Sequence, residues 1–306
     1  MMKKVLCGAL AAALAAGTAL APAADASAVS VPKAKYTFNM NKKSSKVVAV
    51  SRPGDTASFT TGKSDTGVVP TEKGAKKIKA TLKYKKGKHG KAVYLDRKKS
   101  YGAELKGIKL GSKSWTVSFW VKPDSSVGQF MSVFFTGSNI VNVKKTAWIS
   151  ITRCGDDWLS GTGVATPTIW SHNAALDKGD DDQHFPWYAY QNKDGEWVGN
   201  KTDAKALGIN AGKWSYVTLV VDTKDTCEYG TKGEKGYVKS YHAWTYVNGA
   251  LYGNGTVAKN SMSNKNKFFL GINAWDTPFK GMYDDVQFWN KALKAKQVKA
   301  LYKKMK

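Results

Sequence analysis

Cysteine is scarce in this chain, three in 306 residues, and one of them, Cys7, sits in the apolar N-terminal stretch. A small scaffold held together by many disulfides is therefore excluded. Arginine is scarcer still against lysine: Arg52, Arg97 and Arg153 are the only ones among 48 basic residues. Planar, bidentate reading of phosphates and bases favours arginine, so no specific nucleic-acid partner is expected. His89, His172, His184 and His242 show no paired spacing for zinc. Past the N-terminal stretch no segment approaches the ~20 apolar residues of a spanning helix, so no membrane insertion is expected. Proline- or serine-rich linkers and fixed-period repeats are also missing. One domain is expected, over residues 34–305.

What is present begins with an export signal. Lys3-Lys4, an apolar run from Val5 to Leu20 and small residues through Ala28 read as a secretory signal peptide over residues 1–28. The expected location is secreted and extracellular, with cell-wall association open. The chain closes without a Leu-Pro-x-Thr-Gly sorting signal, so surface retention is expected to be noncovalent. Cys154 and Cys227 remain after the leader, and a pair of cysteines in an exported protein favours a disulfide. Each follows an expected strand. Two free thiols are the alternative, because sequence does not supply the Cα separation of under ~7 Å that bonding needs.

The formal charge is +25. Between Lys73 and Lys99 twelve basic residues face one acidic residue, Asp96. Two readings stand side by side: a solvated face that keeps the protein soluble, or adhesion to an anionic cell-surface polymer. Lysines are solvated point charges, and attraction of that kind weakens steeply with salt.

The 42% hydrophobic content and 29 glycines suit a β-rich fold with many turns. Expected strands cover Ala34–Met40, Val47–Val50, Ala57–Thr60, Ile78–Tyr84, Ala92–Leu95, Phe130–Phe135 and Trp148–Arg153. Ser114–Lys122 alternates cleanly, with Trp115, Val117, Phe119 and Val121 on one face and Thr116, Ser118 and Trp120 on the other. Apolar residues on both faces imply cover on both sides, or a concave surface. Gly155 to Ala211 is long, weakly periodic and rich in Gly, Asp, Asn and aromatics, a composition that usually carries function inside a compact fold. A short helical segment to about Tyr302 closes the chain.

Four signatures follow in order near the end: Gly212–Asp222, Trp244–Tyr252 with an Asn-Gly hairpin turn, Phe268–Gly271, and Phe279–Asn290. With Lys88–Leu95, Tyr101–Leu105 and Ser114–Pro123, this order resembles the laminin-G-like jelly roll of the concanavalin A-like lectin and glucanase superfamily. The resemblance implies an all-β, antiparallel two-sheet sandwich with a short C-terminal helix. The fold it implies hosts sugar-binding modules, adhesins and some glycan-cleaving enzymes, so the resemblance speaks more to fold than to function. The glucanase branch carries Glu-x-Asp-x-x-Glu on one strand, and that pattern is absent here. Glycan cleavage needs two carboxylates flanking the bond, so no catalytic residue is assigned.

Alternation puts Asp284 on a face with Val286 and Phe288. A carboxylate there needs a partner or a cation, since an unpaired buried charge is costly. The resemblance implies a structural calcium at Asp284; backbone N–H bonds or a lysine partner are the other reading. Asp177–Asp182 is a weaker chelating candidate that lacks EF-hand spacing.

Aromatics give the binding-site expectation. Trp115, Trp120, Trp214, Trp244 and Trp289 fall in strands that resemble the family and are read as structural. Trp170, Trp187, Trp197 and Trp275 lie in loop-like segments and are expected to stack on sugar, with Asp156, Asp157, Asn192 and Asn273 as polar partners. Burial of these rings beneath long loops is the competing reading. The expected function is non-catalytic glycan binding or adhesion. A glycan-cleaving hydrolase or lyase, and a wall-associated structural protein held by charge, are the alternatives. Oligomeric state is left open.

Overall fold

The computed structural model describes residues 29–50, 81–96, 102–124, 130–138, 140, 147–154, 166–172, 208–229, 232, 238–273 and 276–306. Two antiparallel sheets lie face to face. The first runs β12 (Ala250–Ala258), β11 (Val238–Val247), β10 (Ser215–Tyr229), β6 (Trp115–Pro123), β14 (Gly281–Trp289), β4 (Lys91–Leu95) and β3 (Lys83–Lys86), with β1 (Tyr36–Phe38) added to β14. The second runs β2 (Val47–Val50), β5 (Gly102–Leu105), β13 (Lys267–Leu270), β7 (Phe130–Gly137), β8 (Trp148–Cys154) and β9 (Thr166–His172). Among the described residues one α-helix, α1 (Ala295–Met305), follows β14. This is the sandwich that the sequence implies.

The core forms because β6 alternates as expected. Trp115, Val117, Phe119 and Val121 all point between the sheets and are buried. Phe119 stacks on Phe134 of the opposite sheet at 6.1 Å, and Tyr283 lies 5.9 Å from it on the other side. The Tyr283 hydroxyl donates to the Val133 carbonyl at 2.8 Å, tying β14 to β7 across the core. Burial holds that phenol's pKa well above its ordinary value.

The outward residues of β6 are covered too. Apolar positions 298, 301, 302 and 305 give α1 one greasy stripe, and it lies over Trp120, Tyr216 and Trp289. The first turn is closed by the Lys294 N–H donating to the Gln297 side-chain oxygen at 3.0 Å. Lys303 and Lys304 suit the negative end of the helix dipole. The helix extends past the expected Tyr302.

The Asn-Gly turn joins β11 to β12 as expected. Asn248 and Gly249 both have positive φ, 53° and 77°, the geometry of a two-residue hairpin that follows strand twist. A Cβ on Gly249 would come within 2.9 Å of Tyr302 Cβ, so glycine also lets the helix pack on this turn.

Several elements depart from expectation. β9 is a regular strand inside the stretch read as weakly periodic. β10 continues well past Asp222, through a bulge between Asp222 and Thr226 that restarts pairing with β11. Cys154 ends β8 in the second sheet, whereas Cys227 lies in β10 of the first, and their side chains fall outside the described residues. Residues 57–60 also lie outside them.

Candidate functional site: a lysine-rimmed groove beside the helix

The outer face of the first sheet is only partly roofed by α1. Beside the helix, over β10 and β11, a groove of about 860 Å³ opens. Register makes its floor. Val220 pairs with Trp244, so both side chains project outward, and Tyr246 follows two residues on. Trp244 is half-buried and packs against the margin of the cluster beneath the helix. The His242 ring lies 5.8 Å from it, and its Nδ1 is 2.8 Å from Asp225 Oδ1. That pair steadies one side of the indole.

The rim comes from three separate segments. Lys113 and Ser114 precede β6, Thr223 and Lys224 sit at the bulge in β10, and Asn290, Lys291 and Lys294 belong to the link into α1. The four lysines and Asn290 are exposed. Ser114 locks the first two segments together: its hydroxyl donates to Asp222 Oδ1 at 2.9 Å and accepts the Thr223 N–H at 2.9 Å. Asp222 Oδ1 also accepts the Lys224 N–H at 3.0 Å. The link is pinned by Thr116, which donates to the Lys291 carbonyl at 2.9 Å and accepts the Leu293 N–H at 3.0 Å. Among the described residues Asp222, with its Oδ1 already bonded twice, is the one carboxylate on the lining. The four ammonium groups form no ion pair with the described residues.

The expected site residues fare differently. Trp187, Trp197, Trp275, Asn192, Asp156 and Asp157 lie outside the described residues. Trp170 sits in β9 opposite Ser150, with its side chain outside them as well. Asn273 requires a correction. It is 0% exposed, its amide donates to Asp276 Oδ2 at 2.6 Å and Ser150 Oγ at 3.3 Å, and its oxygen accepts the Asp276 N–H at 2.7 Å. An amide buried among such bonds holds its turn and offers nothing to a ligand. Trp244, read from sequence as structural, lines the groove instead.

Asp284 also departs from its expected face. Asp285 adopts φ 46°, a left-handed conformation that aspartate tolerates, and the β14–β6 register slips between Asp284 and Gln287. The bulge puts both Tyr283 and Val286 into the core and turns Asp284 outward, opposite Trp120. There its Oδ2 accepts the His89 N–H at 2.9 Å and its Oδ1 the Asp285 N–H at 2.9 Å. Burial raises its pKa to about 6, against the lowering effect of the His89, Asp285 and Lys88 N–H groups. Gly87 is required in this turn, since a Cβ would meet Asp284 Oδ2 at 2.5 Å.

Those contacts bear on whether the side chains around Asp284 suit a calcium ion. Both Asp284 oxygens already face N–H donors, the flanking side chains are Lys88 and His89, and His89 Nδ1 lies 2.6 Å from Asp285 Oδ2. Calcium takes six to eight oxygen ligands. Among the described residues no group of three or more His, Cys, Asp or Glu is placed to hold a metal ion. The residues present do not fit a calcium cage, and Asp284 caps the β3–β4 turn.

Two antiparallel sheets, a C-terminal helix and a solvent-open groove on the outer face define a sandwich of the lectin and glucanase type. The Laminin_G_3 family model, of the concanavalin A-like lectin/glucanases superfamily, matches residues 97–299, so the chain belongs to that family. No curated protein matches it. Among solved structures, it is similar to domain 4 of a GH43 extracellular arabinanase from Geobacillus stearothermophilus, in complex with arabinotriose. That match has 25% identity and a TM-score of 0.45, and covers 73% of this chain and 82% of the other. It is also similar to the CBM40 of a Ruminococcus gnavus sialidase bound to α2,3-sialyllactose, with 10% identity and a TM-score of 0.40, covering 69% and 96%. No helix among the described residues is long and apolar enough to cross a membrane.

Proposed function

We propose that this is an exported, non-catalytic carbohydrate-binding protein that works as a lectin or adhesin, with its glycan in the groove beside α1. Residues 1–28 act as its leader, and residues 34–305 make up the binding unit. The observation that carries this reading is Trp244, a half-buried indole on the floor of an open groove edged by hydroxyls and an amide. Sugars present apolar C–H faces to flat rings while their hydroxyls bond groups such as Thr223 and Asn290. Cleavage would need a second carboxylate across the bond from Asp222, and the described residues place no other on the lining.

Calorimetric titration against a polysaccharide panel tests it. Saturable binding is expected, weakened roughly tenfold or more by Trp244→Ala, as for loss of an aromatic anchor worth ~2 kcal/mol. Undiminished binding by a folded Trp244→Ala protein would remove the groove from consideration, and release of reducing sugar would overturn the non-catalytic reading.

A further inference from the structure

We infer that the groove selects an acidic polysaccharide, one bearing carboxylate or sulfate groups along a pyranose chain. The inference rests on the glycan reading above and adds its charge. Lys113, Lys224, Lys291 and Lys294 are more than 60 positions apart from one segment to the next, yet the fold brings all four to one rim. The one opposing charge, Asp222, is drawn inward by Ser114 and the Lys224 N–H. α1 begins at the same rim, with Ala295 on the lining, so the positive end of its dipole adds to the lysine field.

Aromatic floor and cationic rim then divide the work. A pyranose face lies on Trp244 while substituents at its edge reach the ammonium groups. Lysine is a compact, mobile point charge, suited to anions whose spacing varies along a polymer and poorly suited to the planar fork that reads a base. Thr223 and Asn290 accept or donate to ring hydroxyls, which a phosphodiester backbone presents far more sparsely. The net charge of +25 attracts any polyanion from every side. The groove adds a local preference that dispersed lysines do not have.

The full mature chain is titrated with polygalacturonate, dextran sulfate, neutral dextran and single-stranded DNA over a salt series. A quadruple Lys113→Gln, Lys224→Gln, Lys291→Gln, Lys294→Gln variant is compared with a control that removes the exposed lysines 42, 43, 85 and 86. Thermal melts check that both fold. The groove variant is expected to lose roughly tenfold or more in affinity for an acidic polysaccharide and to show a flatter salt dependence, while the control loses little. Polygalacturonate against dextran sulfate tells carboxylate from sulfate recognition. Equal losses in the two variants would overturn the inference, as would DNA binding as tight as the acidic glycan. Equal, salt-insensitive affinity for dextran and the acidic polymers, still abolished by Trp244→Ala, would overturn it while leaving the glycan reading intact. Loss of the glycan reading itself would appear as a Trp244→Ala protein that binds every polymer unchanged.

Discussion

Trp120 and Trp244 stand on the same face of the same sheet, two strands apart, in very different surroundings. Trp120 is 2% exposed, with Tyr216 5.0 Å and Tyr302 of α1 6.1 Å from its ring. Its indole N–H finds no hydrogen-bond partner among the described residues, and burial raises the Tyr216 pKa. Trp244 keeps one side open to the groove. The difference is cover. An α-helix is about 10–12 Å wide and strands are spaced about 4.8 Å apart, so one helix roofs two or three strands. The outer face from β12 to β14 is five strands wide, and the part beside the helix stays open as the groove.

Truncating the two rings should separate these roles most strongly. Trp120→Ala should cost about 3–5 kcal/mol, since it empties a sealed site under the helix. Trp244→Ala should cost under about 1.5 kcal/mol, because water already reaches the ring, yet it should remove most glycan affinity. Urea denaturation gives the first pair of values and titration the second. Equal stability losses would mean that the helix does not divide this face as described.

The next effect concerns the roof itself. Leu301 is buried against the outer cluster, and Leu301→Ala should cost about 2–4 kcal/mol. It should also make Trp120 accessible to acrylamide quenching, so that the sealed half comes to behave like the open half. A quenching profile identical to wild type would place the seal elsewhere.

These two tryptophans also show what sequence made legible. Alternation in β6 named its core residues correctly because a period of two reports which face a side chain takes. The Asn-Gly pair named its hairpin because positive φ at two successive positions has few chemical solutions. Alternation says nothing about cover, so Trp244 and Trp120 look alike as letters in strands. The available signal was geometric: one eleven-residue helix cannot roof a sheet whose strands repeatedly carry outward aromatics. Asp284 was misplaced for another reason. A bulge adds one residue and inverts the parity of everything beyond it, and Asp285 entering the left-handed region leaves little trace in sequence. The groove lysines were invisible as a set because the fold alone brings Lys113, Lys224 and Lys291 together.

The smallest expected effect contrasts the carboxylates of the two halves. Asp222, at the groove, keeps partial exposure, whereas Asp284, opposite Trp120, is buried beneath the Gly87–Gly90 turn. The folded pKa of Asp284 is raised to about 6 from 3.8, so the native state binds its proton more tightly than the unfolded chain does. Its contribution to stability is therefore complete below about pH 3.8 and is lost as pH rises through about 6. Asp284→Asn removes this contribution. The stability difference between wild type and Asp284→Asn should accordingly favour wild type most near pH 4 and shrink by pH 7. Parallel melting curves for wild type and Asp284→Asn across pH 4–7 would show that the turn holds its carboxylate without a penalty for charge, and that the sealed half is wetter than Trp120 indicates.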